Sequence, residues 1–418
     1  MVVTVLELDL VSTFAVAGIA LALGFAAVAR LPVLARYNVP AAVVGGLAVA
    51  LLVTLAHQFG VADFVFDTRL QSTLMTAFFT SIGFSASLSL LRAGSGQALL
   101  FLALASVLAV LQSVVGIGVA VAFGEHPLMG VLMSSTALAG GPATALAFAP
   151  QFAAAGVEAA ESLAIAAAMA GIVLGGLAGG PIATRLLKTQ VGTRPLNKRV
   201  GDPGVLARGS VVAEVRDAAP VKEIVATDEE DYGIRDTLRG LTLLFVAMAL
   251  GSGVSAGFVA AGLTLPGYVG AMLVGALLRN LDDATGLVRL PMRVTTNTGA
   301  VCLTLFLTIA LMNLKLWELA SLALPLIVNL LLQVIMVALF CWWVVFRVMG
   351  RDYDAAVMSG GFTGFMLGTT ANAMAVMRTI VERFGPAPRA FLVAPLVGAF
   401  FIDFSNALII TAFLNLFG

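Results

Sequence analysis

The chain has 418 residues, 60% of them hydrophobic and only 11% charged, with a mean hydropathy of +1.04. Soluble domains carry roughly a quarter charged residues, so this much apolar surface implies lipid as the solvent. A formal net charge of zero removes the basic footprint that a nucleic-acid partner would require.

The first apolar block is 9–28; Glu7 and Asp9 precede it, and without a basic n-region it does not read as a signal peptide. A basic turn, 30–40, leads into blocks at 41–55, 73–91 and 98–123. The stretch 128–152 is apolar but interrupted by Gly140, Gly141 and Pro142. Block 162–187 follows, with Gly171, Gly175, Gly176, Gly179 and Gly180 suited to close helix approach.

Residues 188–236 differ in kind. They mix both charges, contain Pro195, Pro203 and Pro220, and carry an acidic run at 228–231. Such a segment reads as a soluble, loosely ordered connector. The second half repeats the plan, with blocks at 241–263, 266–278, 295–313 and 320–348, a broken stretch at 359–375, and a last block at 390–417. A shift of 226 brings Pro40 onto Pro266, Gly124 onto Gly350 and Thr144 onto Thr370.

The expected fold is therefore an all-α polytopic membrane protein of two halves, 1–187 and 237–418, joined by the connector. If each broken stretch (near 128–152 and 352–378) re-enters from the side it left, each half has five full spans. An odd number inverts the second half relative to the first. With both termini outside and the connector in the cytoplasm, 21 of the 23 Lys and Arg residues fall inside, and only Arg69 and Lys315 outside. Trp317, Trp342 and Trp343 lie towards block ends, as interface anchors do.

No enzyme motif survives inspection. Neither HExxH nor GxxxxGK[ST] occurs, and the single GxSxG match, 253–257, sits inside an apolar block rather than at a strand-to-helix turn. Cys302 and Cys341 read as buried fillers. No cofactor is expected.

The chemistry concentrates where the spans break. Half-helix N-termini attract anions, and freed carbonyls ligate sodium. The first break is expected at 138–141, with Pro142 opening a new helix, and the second within 360–368. Gly140, Gly141, Thr144, Thr363, Gly364, Thr369, Thr370 and Asn372 are the candidate substrate contacts. Asp403 is a carboxylate deep in an apolar block, where charge is costly and usually functional. It could bind a coupling cation or pair with a substrate amino group. Ser405, Asn406 and Thr136 are its candidate fellow sodium ligands. Gln112 and Gln333 read as interhelical hydrogen-bonding amides. Three functions fit: a sodium-coupled symporter of a small solute, a sodium or proton antiporter using Asp403, and a non-transporting sensor or scaffold.

Several long runs go further. LKLWELASLALP (314–325), RDYDAAV (351–357), ERFGPA (382–387) and VGAFFIDFSNALII (397–410) resemble the bacterial sodium/glutamate symporter family. So do LMTAFFTSIGFSASLSLLRAG (74–94) and VLGGLAGGPIATRLL (173–187). The resemblance implies sodium-coupled uptake of glutamate or a related small amino acid or carboxylate across the bacterial inner membrane. It also implies a homodimer and elevator-like motion. The chain departs from the family pattern at the breaks. Pro142 and Phe362 replace histidines, Met366 a glycine, Ala371 a proline and Asn372 a threonine, changes expected to make the lining bulkier and less polar.

Overall fold

The computed structural model describes residues 4–36, 39–89, 95–188, 233–261, 265–315 and 322–418. Most of the 188–236 connector lies outside the described residues, as do Arg92 and Trp317. The first half begins with a strand, β1 (Thr4–Leu8), then α1 (Leu10–Arg30), α2 (Pro32–Arg36) and α3 (Ala41–Gln58). After β2 (Ala62–Phe66) come α4 (Gln71–Phe84), α5 (Ser95–Ala122), α6 (Pro127–Val131), α7 (Gly141–Ala154) and α8 (Ala160–Leu186). The second half comprises α9 (Ile234–Ala260), α10 (Gly267–Thr285), α11 (Met292–Met312) and α12 (Ala323–Val348). It ends with α13 (Tyr353–Met366), α14 (Thr370–Phe384), α15 (Pro388–Leu396) and α16 (Ile402–Phe417).

This is an α-helical, multi-pass membrane protein. Among the described residues, seven helices are long and apolar enough to cross a membrane: α1, α3, α5, α8, α9, α11 and α12. Their outward faces carry Ile19, Phe25, Phe245, Leu250, Leu331 and Ile335, as lipid contact requires. The ten spans expected from sequence exceed this count by three. The block 73–91 fails because α4 stops at Phe84, where Ser85 to Ser87 leave the helix. There the exposed chain ends are bound by α10: Asn280 donates to the Ala86 carbonyl (2.7 Å) and accepts from Leu88 N–H (2.8 Å). The Ser87 hydroxyl donates to Asp283 (2.6 Å), so α10 itself ends in charge rather than in a long apolar run. The last block is divided by a wide π-type turn, Val397–Phe401, ahead of α16. A two-stranded parallel sheet, β1 with β2, was not anticipated.

Helix packing separates two groups. One is α1, α3, α4, α9, α10 and α11, linked as α1 on α3, α3 on α11, α11 on α4, α4 on α10 and α10 on α9. The other is α5 to α8 with α12 to α16. Where the groups meet, the surfaces are apolar: Leu146 of α7 and Ile165 of α8 share a cluster with Val43, Phe306, Leu307 and Leu311. Tyr268 of α10 stacks on Phe79 (ring centroids 3.9 Å apart) and stands edge-on to Phe148 of α7 (6.1 Å).

Candidate functional site

The site is built on two helical hairpins in the second group. The first starts with His126 capping α6, its ring accepting from Leu128 N–H at 3.3 Å. The helix continues through a wide turn, Leu132–Thr136, where Ser134 takes φ −117° and ψ −114° and breaks the ladder. The chain reverses at Ala139 and Gly140, and α7 leaves with Pro142 in its first turn, where a missing N–H costs nothing. The second hairpin starts at Asp352, which caps α13 by accepting from Ala355 N–H (2.9 Å) and also takes a hydrogen bond from Arg389 (2.5 Å). It reverses at Leu367 to Thr369, and Thr369 caps α14.

The second break falls at the far end of the expected stretch, at Leu367 and Gly368. Gly360, Gly361 and Gly364 remain inside α13. Their purpose is contact: a Cβ on Gly360 would lie 2.8 Å from Cβ of Ala183, and one on Gly364 3.1 Å from the Asn372 carbonyl. The facing helix α8 answers with its own glycines. A Cβ on Gly175 would lie 3.1 Å from Cβ of Leu367, and one on Gly179 2.7 Å from the Gly360 carbonyl. Backbone-to-backbone packing of α8 on α13 thus seats the second hairpin.

The two reversals meet. Gly141 has φ +68°, a conformation open to glycine, and a Cβ there would lie 3.2 Å from Cγ2 of Thr369 and 3.6 Å from the Gly368 carbonyl. The starts of α7 and α14 therefore lie side by side, two positive helix ends at one place inside the protein. Of the candidate substrate contacts, Gly140, Gly141 and Thr369 stand at this junction. Thr144 lies one turn into α7 and is buried. Thr370 donates to the Gly398 carbonyl in the Val397–Phe401 turn (3.1 Å). Asn372 is committed to α8, donating to the Ile172 carbonyl (2.7 Å). Thr363 is a full turn back: its hydroxyl donates to the Ser359 carbonyl (3.0 Å) and sits 3.3 Å from Sγ of Cys341. Gly364 is likewise a packing residue.

The four candidate sodium ligands are not gathered together. Ser405 faces α5, where Ser106 donates to its hydroxyl (3.1 Å). Asp403, partly accessible, makes no hydrogen bond or ion pair among the described residues. Thr136, at the first hairpin's kink, is buried with its hydroxyl unpaired, and Asn406 belongs to a buried polar network around that kink. Asn406 donates to the Ser135 carbonyl (3.0 Å), and the hydroxyls of Ser135 and Ser113 are 2.7 Å apart. Gln333 donates to the Gln112 carbonyl (2.9 Å) and to the Ser134 hydroxyl (3.0 Å). Asn329 donates to the Met133 carbonyl (2.9 Å), and Gln112 to the Met366 carbonyl (2.8 Å). Both glutamines bond between helices, as the sequence suggested. The roles of Ser113, Asn329 and Tyr268 were not legible, because single polar residues in apolar helices look alike until their neighbours are known.

The replaced family positions also find their places. Phe362 points away from the junction, edge-on to Phe101 (5.0 Å) and stacked with Phe340 (6.1 Å). Its bulk fills the core between α5 and α12 and does not line the reversal, contrary to expectation.

Comparison with known proteins now decides the family. The model of the family described as "Sodium/glutamate symporter" matches residues 6–386. The chain belongs to the sodium/glutamate symporter family. The sodium/glutamate symporter of Haemophilus influenzae is 38% identical over 397 residues, 94% of each chain. That of Escherichia coli is 38% identical over 411 residues, 98% of each chain. This membership makes the chain a transporter and not an enzyme, and favours symport over the antiporter and sensor alternatives.

Proposed function

We propose that this protein is a sodium-coupled symporter of glutamate, holding a substrate carboxylate between the starts of α7 and α14. The juxtaposition of Gly141 with Gly368 and Thr369 carries the reading, because it brings two helix dipoles together without a buried Lys or Arg. Gly140, Gly141, Thr369 and Thr370 form the floor of this site, and Thr144 lines its first-hairpin wall. Asn372, Thr363 and Gly364 hold its shape. Asp403 supplies negative charge one helical turn from Asn406, with Ser405 anchoring that turn to α5.

An inverted repeat accounts for the helix boundaries. Helices α3 and α10 start at 41 and 267, and α6 and α13 at 127 and 353, 226 residues apart in each case. The halves 1–187 and 237–418 then each give three helices to the first packing group and a helix–hairpin–helix to the second. Re-entry of both hairpins fits the charge bias, which supports termini outside and a cytoplasmic connector, and the family resemblance supports the bacterial inner membrane. The apolar surface between the groups suits elevator-like sliding of the hairpin group against the other, within a homodimer.

The test is uptake by proteoliposomes of labelled glutamate and of other amino acids and dicarboxylates, under an inward sodium gradient. Glutamate accumulation that collapses when choline replaces sodium is expected. Uptake at the level of empty liposomes, or sodium exchange without solute, would refute the reading.

A further inference from the structure

Helix α12 carries a groove on its outward face. Leu332, Ile335, Leu339 and Trp343 recur at helical spacing and line it together with Val115 of α5. It is an open cleft of about 400 Å³ with an almost wholly apolar wall. Directly beyond Trp343 the chemistry changes. Trp342, Phe346, Arg347 and Arg351 line a second cleft, of about 340 Å³, whose surface is mainly polar. Arg347 lies in the last turn of α12, and Arg351 is brought back over the helix end. The Arg351 N–H donates to the Phe346 carbonyl (3.0 Å), and Gly350 has φ +122°. Arg351 itself holds φ +56°, a region that residues other than glycine enter at a cost. Both arginines are exposed, and neither side chain makes a hydrogen bond or ion pair among the described residues. The carboxylates that follow are committed elsewhere: Asp352 to Arg389 (2.5 Å) and to Ala355 N–H (2.9 Å), Asp354 to Ala390 N–H (3.2 Å).

We propose that the groove and its basic mouth bind one anionic phospholipid, with an acyl chain along α12 and the phosphate at Arg347 and Arg351. An apolar channel that ends at two unpaired cations is complementary to an acidic amphiphile. A zwitterionic lipid would bring its own ammonium group to the same place. A free phosphate would account for the arginines but not for the groove, and an apolar helix of a second copy for the groove but not for the arginines. The guanidinium fork suits phosphate oxygens, and the two indoles stand where chain gives way to headgroup. Arginines also complement the negative end of a helix, but that role requires no groove beside them. Basic clefts at the cytoplasmic ends of membrane helices are where acidic headgroups are held, and the charge bias puts this end of α12 in the cytoplasm. Helix α12 belongs to the hairpin group: its Gln333 donates to the Gln112 carbonyl and to the Ser134 hydroxyl. A lipid seated here therefore braces the group that carries both reversals.

The full-length protein is purified in a neutral detergent and stripped of lipid. Its thermal unfolding is followed while dioleoylphosphatidylglycerol, dioleoylphosphatidylcholine or glycerol phosphate is added. The wild type is expected to gain saturable stability from phosphatidylglycerol, little from phosphatidylcholine and none from glycerol phosphate, the headgroup without its chains. The double variant Arg347→Gln, Arg351→Gln should need on the order of tenfold more phosphatidylglycerol for the same gain. Arg235→Gln, which removes one exposed charge at the start of α9, should keep the wild-type midpoint. Ile335→Trp, which fills the groove and leaves both arginines in place, should also raise the requirement. If the double variant misfolds, Arg347→Gln alone is read in the same way, with a smaller shift. Equal stabilisation by phosphatidylcholine, a full response to glycerol phosphate, or an unchanged midpoint in the arginine or groove variants overturns the proposal. An unfolding temperature that rises with protein concentration and not with phosphatidylglycerol assigns the groove to a second copy, and overturns it too. The measurement uses neither sodium nor glutamate, so its failure leaves the symport reading standing.

Discussion

Replacing Gly141 with alanine probes the junction between the hairpins with the smallest available change. The backbone there has φ +68°, and an L-residue in that region costs about 1–2 kcal/mol. The added Cβ meets Cγ2 of Thr369 at 3.2 Å, a contact that yields if the threonine moves by a few tenths of an ångström. For a chain of this size, 1–2 kcal/mol lowers the unfolding temperature by only about 2–4 °C. Transport should fall much further. The methyl group occupies the space between the two helix starts, and the strained peptide turns its N–H away from the carboxylate. Misplacement on this scale costs on the order of tenfold or more in a positioned reaction or binding step. Glutamate uptake by Gly141→Ala in proteoliposomes should therefore show a KM raised about tenfold, while the unfolding temperature in detergent stays within a few degrees of wild type. Uptake with a wild-type KM would refute placing the substrate against Gly141. A variant that unfolds more than about 10 °C early would show that the junction is structural first.

Other substitutions separate site from scaffold. Asp403→Asn should reduce sodium-driven uptake severely while leaving the protein folded; wild-type sodium dependence would rule out a cation role for the carboxylate. Gly175→Leu has no room beside Leu367 and should cost on the order of 2–3 kcal/mol, read as a lower unfolding temperature; a neutral outcome would contradict the close packing of α8 on α13. Phe362→His restores the histidine of the family pattern but buries an imidazole among Phe101 and Phe340, and should destabilise by about 2–4 kcal/mol with glutamate selectivity unchanged. A tightened glutamate KM in that variant would mean that Phe362 does reach the substrate. Asn280→Ala removes the bonds to Ala86 and Leu88 that close the end of α4 and should cost about 1–3 kcal/mol, measured by thermal unfolding.

The membrane environment, the helical plan and the two broken stretches were legible because each depends on local composition. Gly140, Gly141 and Pro142 announced a reversal, since no continuous helix accommodates that order of residues. The second reversal was bracketed but not pinpointed within 360–368, because Gly360 and Gly364 look like helix breakers until α8 is seen to bring Gly179 and Gly175 against them. The shortness of α4 was hidden because Leu88, Leu90 and Leu91 carry the apolar run on past Ser85; only the partners on α10 explain why the helix stops. Site membership was the least legible property. Thr363 and Thr136 are both threonines in hairpin helices, yet one commits its hydroxyl to its own helix and the other, at a kink, does not. That distinction depends on backbone geometry, which residue type does not encode.

The separation of these roles bears on why the departures from the family pattern leave glutamate as the expected substrate. Phe362 is turned into the core, and the Asn372 amide, packed against Gly368 in the first turn of α14, spends a proton on the Ile172 carbonyl. Pro142 gives up an N–H that the first turn of α7 does not use within the helix. Met366 contributes its carbonyl to Gln112, a bond that any residue at 366 could accept. In the proposed site, what would recognise a carboxylate is backbone: the ends of α7 and α14, set by Gly141 and by the cap at Thr369. Side chains around that backbone can vary while the positive ends stay in place. Selectivity for the second carboxylate of glutamate over a neutral amino acid must then come from a donor a little further out; Thr370 spends its one proton on the Gly398 carbonyl, which leaves the Thr144 hydroxyl as the nearer candidate. Thr144→Val, which keeps shape and removes the donor, should narrow the preference for glutamate over glutamine in competition uptake, whereas an unchanged preference would assign selectivity to the helix ends alone.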